Sequence, residues 1–135
     1  MTLVSSDGKR YVDIGSEAIW QSVFYTTELI PSDIVKKMPL AIDLLSNRKC
    51  SHGKALETAR QINLLRDAFS QIASEYVIIG KNCEHLSVAQ RANLSPVTTS
   101  CGNLYTTSDG KDLLFELVCI LTYAHYAEVE VYQPN

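Results

Sequence analysis

The chain has 135 residues, the size of one ordinary domain, and is long enough to bury a substantial core without disulfides or a metal. Hydrophobic residues make up 46% and charged residues 20%, with six Gly and four Pro, which excludes a disordered, collagen-like or low-complexity chain. Twelve Lys and Arg against fifteen Asp and Glu leave a formal net charge of −3, the wrong sign for a general nucleic-acid binder, so a charged partner is expected to be basic.

The opening residues, MTLVSSDGKR, lack the basic start and apolar run of a secretory signal, so a cytoplasmic protein is expected. Arg10 to Ile14 alternates large apolar with polar residues and stops at Gly15, the pattern of a short strand. Ser16 then stands as a helix N-cap ahead of Ile19, Trp20, Val23 and Phe24. A short turn is expected from Ser32. Pro39 suits the first residue of a helix carrying Leu40, Ile42, Leu44 and Leu45.

Lys54 to Ala73 predicts the clearest amphipathic helix, with Leu56, Ala59, Ile62, Leu65, Phe69 and Ile72 on its packing face. Tyr76 to Ile79 (YVII) reads as a buried strand. Asn82 to Asn103 is polar and without steady periodicity, a long loop with one helical turn at most, and such loops are often functional. Leu104 to Thr107 is expected to be briefly extended, and Ser108, Asp109 and Gly110 to start the next helix. That helix, Lys111 to Tyr126, carries apolar residues nearly all round and should be the most buried. Its apolar stretch is interrupted by Glu116 and too short for a bilayer of roughly 30 Å. Ala127 to Tyr132 alternates as a half-buried last strand. The sum is an α+β domain over residues 1–135, a small, mainly antiparallel or mixed sheet covered by three or four helices.

Charge is distributed unevenly. Tyr11 to Val35 holds Asp13, Glu17, Glu28 and Asp33 with no Lys or Arg, and Asp112 to Asn135 holds Asp112, Glu116, Glu128 and Glu130, again with none. Between them, Lys36 to Lys111 carries ten basic and six acidic residues. The two acidic segments make one acidic face if the fold sets them side by side; otherwise they are ordinary variation of a solvated surface.

Reactive chemistry finds little support. Cys50-Ser51-His52 and Cys83-Glu84-His85 carry the ligand types of a zinc site, but one residue between paired ligands is fewer than the roughly two to four usual in structural sites. Nothing flanking them resembles a thiolate-activating helix start, and all four cysteines, with Cys101 and Cys119, are expected to be free thiols in a reducing compartment. Gly15-Ser16 lacks the second glycine of a nucleophile elbow, and neither a phosphate loop nor a dinucleotide fingerprint is present. His125, flanked by Tyr123 and Tyr126, reads as a packed or helix-capping residue. No catalytic residue, cofactor or metal is expected.

Two similar words occur, Ser5-Ser6-Asp7-Gly8-Lys9 and Thr107-Ser108-Asp109-Gly110-Lys111, too short to mark a duplication. The second lies in the run Asn103 to Leu113 (NLYTTSDGKDL), which leads into the buried helix and the closing acidic strand. That run resembles the C-terminal signature of the immunity protein 70 family, whose members guard bacteria against polymorphic toxins, including effectors of contact-dependent growth inhibition. The order of the remaining elements follows the same family, so the resemblance spans most of the chain. It departs in the long loop, where Lys81 to Ser95 has no Trp and no Pro in place of the family's Pro-Trp-Gly-like element; partner choice would differ there. Ser-Asp-Gly is also common turn chemistry, so the signature's role in the family is open to a purely structural reading.

The resemblance implies a protein that performs no reaction and acts by tight binding. The expected partner is the toxic C-terminal domain of a cognate effector in a one-to-one complex. A nuclease is favoured, and within that class a ribonuclease, whose cationic substrate groove an acidic inhibitor would match. No nucleic acid or membrane partner is expected. The toxin-binding candidates are Asp13, Glu17, Glu28, Asp33, Glu128 and Glu130, with Glu84, His85 and Arg91 from the long loop. A small cytosolic interaction or ligand-binding module unrelated to toxins would fit the same composition.

Overall fold

The computed structural model describes residues 1–135. The alternation at Arg10–Ile14 becomes strand β2 (Tyr11–Asp13), whose partner is a strand the sequence reading did not mark, β1 (Thr2–Ser5). They form an antiparallel hairpin with Leu3 opposite Val12 and Val4 opposite Tyr11. Two more short strands, β3 (Lys49–Cys50) and β4 (Val131–Tyr132), complete an antiparallel sheet in the order β2-β1-β4-β3. The closing strand is thus present but shorter than Ala127–Tyr132, and it pairs beside β1 at the middle of the sheet. Leu3, Ser5, Val12, Cys50 and Val131 point inward and are buried, while Val4, Tyr11, Lys49 and Tyr132 occupy the outer face.

Six helices pack on and around this sheet, and the α+β class is the one expected. Helix α1 (Glu17–Thr26) is capped by Ser16, whose Oγ accepts the Ile19 N–H at 3.4 Å. The one-turn α2 (Ser32–Val35) precedes α3 (Pro39–Asn47), which begins at Pro39 as expected. The free N–H groups of Leu40 and Ala41 at the start of α3 donate to Gln61 Oε1 at 2.7 and 3.2 Å, so a buried glutamine of the next helix serves as the missing cap. Trp20 Nε1 donates to the Leu45 carbonyl at 2.8 Å and ties α1 to the end of α3.

Helix α4 (His52–Phe69) is shorter than the expected 54–73 at its C-terminal end, because the chain turns after Ser70, with Gln71 and Ile72 bonded back to Ala68 and Phe69. Ala55, Ala59, Ile62, Leu65 and Phe69 are buried, but Leu56 is 43% exposed, on the flank of the stripe beside a shallow groove between α4 and the last helix. That last helix, α6 (Leu113–Ala127), is capped by Asp112, whose Oδ1 accepts the Phe115 N–H at 3.1 Å, and not by Ser108–Gly110. It is also not apolar against protein all round: Leu113, Leu114, Leu117 and Leu121 are fully buried, whereas Phe115 is 48% and Tyr126 76% exposed. These helices and the inner sheet face form one cluster of 26 buried residues. No helix is long and apolar enough to cross a membrane.

The expected strand Tyr76–Ile79 is a correction. After a 3₁₀ turn at Ser74–Tyr76, residues 77–79 run extended, and Val77 and Ile78 are buried, but they pair with no strand. Side chains of α1 satisfy the backbone instead: Ile78 N–H donates to Thr26 Oγ1 at 3.0 Å, and its carbonyl accepts from Ser22 Oγ at 2.7 Å. A short apolar run signals burial and does not specify what it pairs with.

Ser108–Gly110 is used up in a turn. Thr107 Oγ1 donates to Asp109, accepts the Lys111 N–H at 3.0 Å, and its carbonyl accepts the Gly110 N–H at 2.9 Å. The word at Ser5 does the same: Ser5 Oγ donates to Asp7 at 2.7 Å and accepts the Arg10 N–H at 2.9 Å, and its carbonyl accepts the Gly8 N–H at 2.9 Å. Gly8 and Gly110 sit at φ +75° and +84°, a conformation glycine adopts without steric cost. The two similar words are one turn built twice. The second also seals the outer edge of β2, through Ser108 N–H to the Asp13 carbonyl at 3.0 Å, where an open strand edge would otherwise invite pairing with other chains.

Candidate functional site

A groove opens where α1 meets the segment from Val77 to Tyr105. Ala18, Ile19 and Ser22 form one wall; Val77, Ile79, Leu86, Leu94 and Leu104 line much of the rest, with Gln90 and Tyr105, around a volume of about 340 Å3. The α1 wall is rigid because Trp20 and Val23 anchor that helix in the core. The other wall is held mainly at its ends: from residue 79 to 99 no residue is buried, and the only helix is the five-residue α5 (Val88–Ala92), closed by a Ser87/Gln90 capping box.

The floor is a buried polar knot. The Tyr105 hydroxyl lies 3.1 Å from Ser22 Oγ and 2.9 Å from Thr26 Oγ1, the same two hydroxyls that hold Ile78. Burial pushes the Tyr105 phenol up to about 12, so it stays neutral and can donate at any physiological pH. No buried side-chain polar atom is left without a partner.

Four of the nine binding candidates gather at this end of the molecule. Glu28, in a 3₁₀ turn (Thr27–Leu29) just after α1, lies with its carboxylate 3.8 Å from Cys83 Sγ on the opposing turn. Glu84 folds back in that turn to accept the Asn82 N–H at 3.1 Å, and its carbonyl receives the Ile79 N–H at 2.8 Å. His85 Nδ1 is 3.0 Å from the Val77 carbonyl, and Arg91 pairs with Glu75 at 3.2 Å. Neither Glu28 nor Glu84 takes part in an ion pair.

The other candidates are dispersed. Asp33 is exposed on α2. Glu17 is bound by Arg48, which also reaches Gln133 Oε1 at 3.1 Å, so a base stands where the two acidic segments touch. Asp13 is held below the usual carboxylate range, first by the Ser108 hydroxyl and then by the Gly15 N–H; it lines a hollow with Lys9, Arg10, Lys111 and Glu116. Asp112 pairs with Arg66 at 2.9 Å. Glu128 is the left-handed residue ending α6, and Glu130 lines a hollow with Lys49 and Lys54. The segments therefore do not merge into one acidic face; bases separate them at their seams, and two unpaired carboxylates, Glu28 and Glu84, meet at the turn that follows the groove residue Ile79.

The Cys-x-His units occupy separate elements. Cys50 is buried in β3, and its thiol is raised by that burial, opposite to thiolate activation; His52 opens α4 on the surface. Cys83 and His85 lie on the exposed turn beside Glu28. All four cysteines are unpaired, and no group of three or more His, Cys, Asp or Glu side chains is arranged to hold a metal ion. Sequence reading found the long loop but missed its apolar counterpart on α1 and the role of Tyr105. The available signal was the polar pair Ser22 and Thr26, one turn apart on a helix whose neighbouring residues are apolar.

The family model described as Immunity protein 70 matches residues 6–132, from the first turn word through the last strand. Comparison with curated proteins and with solved structures finds no match. With nearly the whole chain covered, and with the Asn103–Leu113 signature sealing the sheet and launching α6, this protein belongs to the immunity protein 70 family, the immunity proteins of toxin–immunity systems.

Proposed function

We propose that this chain neutralises the toxic C-terminal domain of a cognate polymorphic-toxin or contact-dependent growth inhibition effector in the cytoplasm, by forming a one-to-one complex that blocks the toxin's active site. The toxin is a nuclease, a ribonuclease in the first instance, and the immunity protein carries out no reaction of its own. The observation that carries this reading is the apolar groove between α1 and the 77–105 segment, with the unpaired carboxylates Glu28 and Glu84 at the turn that follows its lining residue Ile79. Nucleases that hold a phosphate backbone present cationic clefts, and complementary charge speeds encounter while apolar contacts slow dissociation.

The interface is drawn from Glu28, Glu84, His85 and Arg91 with the loop Lys81–Asn103, and Asp13, Glu17, Asp33, Glu128 and Glu130 lie outside its centre. Co-expression with the product of the gene directly upstream, scoring survival and co-purification, tests it. Protection together with a one-to-one complex supports the reading. Survival without a physical complex, or no protection, moves the assignment to an interaction module unrelated to toxins.

A further inference from the structure

We infer that the groove between α1 and the 77–105 segment receives one large apolar side chain of the toxin, an aromatic for preference, carried on a basic stretch of the toxin surface. The inference rests on the toxin-binding reading above and specifies what that partner must present. Three features of the groove select this occupant.

Most of its polar lining is already engaged. Ser22 Oγ donates to the Ile78 carbonyl, the Tyr105 hydroxyl is shared between Ser22 and Thr26, and Gln90 Oε1 accepts the Ser87 N–H at 2.8 Å. A polar ligand would lose its hydration there and gain few bonds in return, whereas an apolar group gains by leaving water. The volume, about 340 Å3, is on the scale of a small ligand pocket and leaves room for a single bulky anchor of the kind that dominates interface energetics.

The electrostatics set the sign of the surroundings. The α1 segment has no Lys or Arg from Tyr11 to Val35. Glu28 stands six residues beyond Ser22, roughly 9 Å along the chain at helical rise, comparable to the screening length at physiological salt. Glu84, unpaired, lies on the turn that Glu28 touches, and the two carboxylates outnumber Lys81, the one base of that turn. A basic flank on the partner is favoured.

The other hollows are of a different kind. That between α4 and α6 is wider and mixes Leu56, Ala59 and Val118 with Glu57, Arg60, Asn63, Thr122 and His125, and that beside β2 mixes Lys9, Arg10 and Lys111 with Asp13, Asp109 and Glu116. Neither is lined mainly by apolar side chains.

The test uses the full chain and a catalytically inactivated form of the toxin domain encoded directly upstream, with affinity measured at low and high salt. Ala18 is exposed at the groove mouth, so Ala18→Trp fills the groove without burying a misfit in the core. It is expected to leave the melting temperature unchanged and to weaken binding by about tenfold or more, through faster dissociation. Glu28→Gln with Glu84→Gln should slow association and flatten its salt dependence. Hydrogen exchange on the unmutated complex supplies an independent readout, with added protection expected at residues 18–22 and 77–94. If the wild-type chain binds but Ala18→Trp binds within about twofold of it, or protection falls elsewhere, the groove assignment is overturned and the toxin reading stands. If the wild-type chain forms no complex, the toxin reading fails and takes this inference with it.

Discussion

Helix α6 and the stretch 79–99 contain similar apolar side chains and use them in opposite ways. In α6, Leu113, Leu114, Leu117, Ile120, Leu121 and Ala124 are buried out of fifteen residues, because they recur at helical spacing and face α4 and the sheet together. In the stretch 79–99, Ile79, Leu86, Val88, Leu94 and Val97 follow neither a helical nor a strand period, and none is buried. Apolar content creates a core only when its spacing matches an element that can present it. The contrast divides the molecule into a scaffold that holds its free energy of folding and a wall that is fastened chiefly at its ends, by Ile78 to α1 and by Cys101 N–H to the Ile72 carbonyl at 2.9 Å. Recognition surfaces are commonly built this way, with loops on a rigid frame.

The largest expected effect lies in the scaffold. Leu117→Ala removes a fully buried side chain at the centre of α6 and should cost about 2–5 kcal/mol through lost burial and the cavity left behind. A urea melt indistinguishable from wild type would remove the distinction between the two regions. Next comes the fastening of the wall. Tyr105→Phe keeps the ring and deletes the hydroxyl shared by Ser22 and Thr26, at an expected cost of about 0.5–1.5 kcal/mol. Its specific signature is faster hydrogen exchange at the Ile78 amide, which Thr26 Oγ1 holds; unchanged exchange there would mean the knot does not fasten the wall.

The sequence made the scaffold legible because its elements carry period and punctuation: Ser16 before Ile19, Pro39 at the head of α3, and the stripe of α4. What it concealed depended on distant partners. Strand β1 reads as a sparse TLVS, and its place in the sheet depends on β4, more than a hundred residues away in the chain. The run at Val77–Ile79 has strand composition, yet α1 hydroxyls take the backbone bonds of Ile78, and Ser74, His85 and Glu84 take those of its neighbours. Gln61 caps α3 from another helix, which no local pattern announces. The same limit applies to the site. The long loop stood out by its lack of pattern, and Glu28 and Glu84 by charge, but their meeting across Cys83 needed the fold. The sequence leaves open whether the acidic segments form one face, and the fold decides it by placing Arg48 and Arg66 between and beside their carboxylates.

A pH titration sharpens the scaffold side through the first turn word. Hydrogen bonds from Tyr123 and then Ser5 lower the Asp7 carboxyl to about 2, from an ordinary value near 3.8. A depressed folded-state value stabilises the fold fully above the unfolded value and loses that contribution as pH falls towards the folded one. Wild type should therefore weaken from about pH 4 to pH 2, with Glu57, also held at about 2 by Arg60 and Gln61, adding to the same window. Asp7→Asn should be less stable at pH 7 and lose less over that window, and Tyr123→Phe, which removes the leading cause, should shift the profile the same way. Parallel profiles for wild type and Asp7→Asn would show that the turn carboxylate contributes nothing to folding.

The smallest effect is expected on the wall itself. Val88 is the first residue of α5, is 74% exposed, and lies outside the groove lining. Val88→Ala removes two methyl groups that face water and places a better helix former after the Ser87 cap, so the change in stability should stay within about 0.5 kcal/mol of zero. Its value lies in the pairing with Leu117→Ala, since both shorten a branched aliphatic side chain in a helix and differ in what surrounds it. If burial sets the difference between the two regions, equilibrium unfolding will separate the variants by at least a kilocalorie or so, as expected for a core cavity against an exposed truncation. A drop for Val88→Ala approaching that of Leu117→Ala would mean that the 79–99 stretch packs as core in solution, and the groove would then have to be redrawn with a rigid second wall.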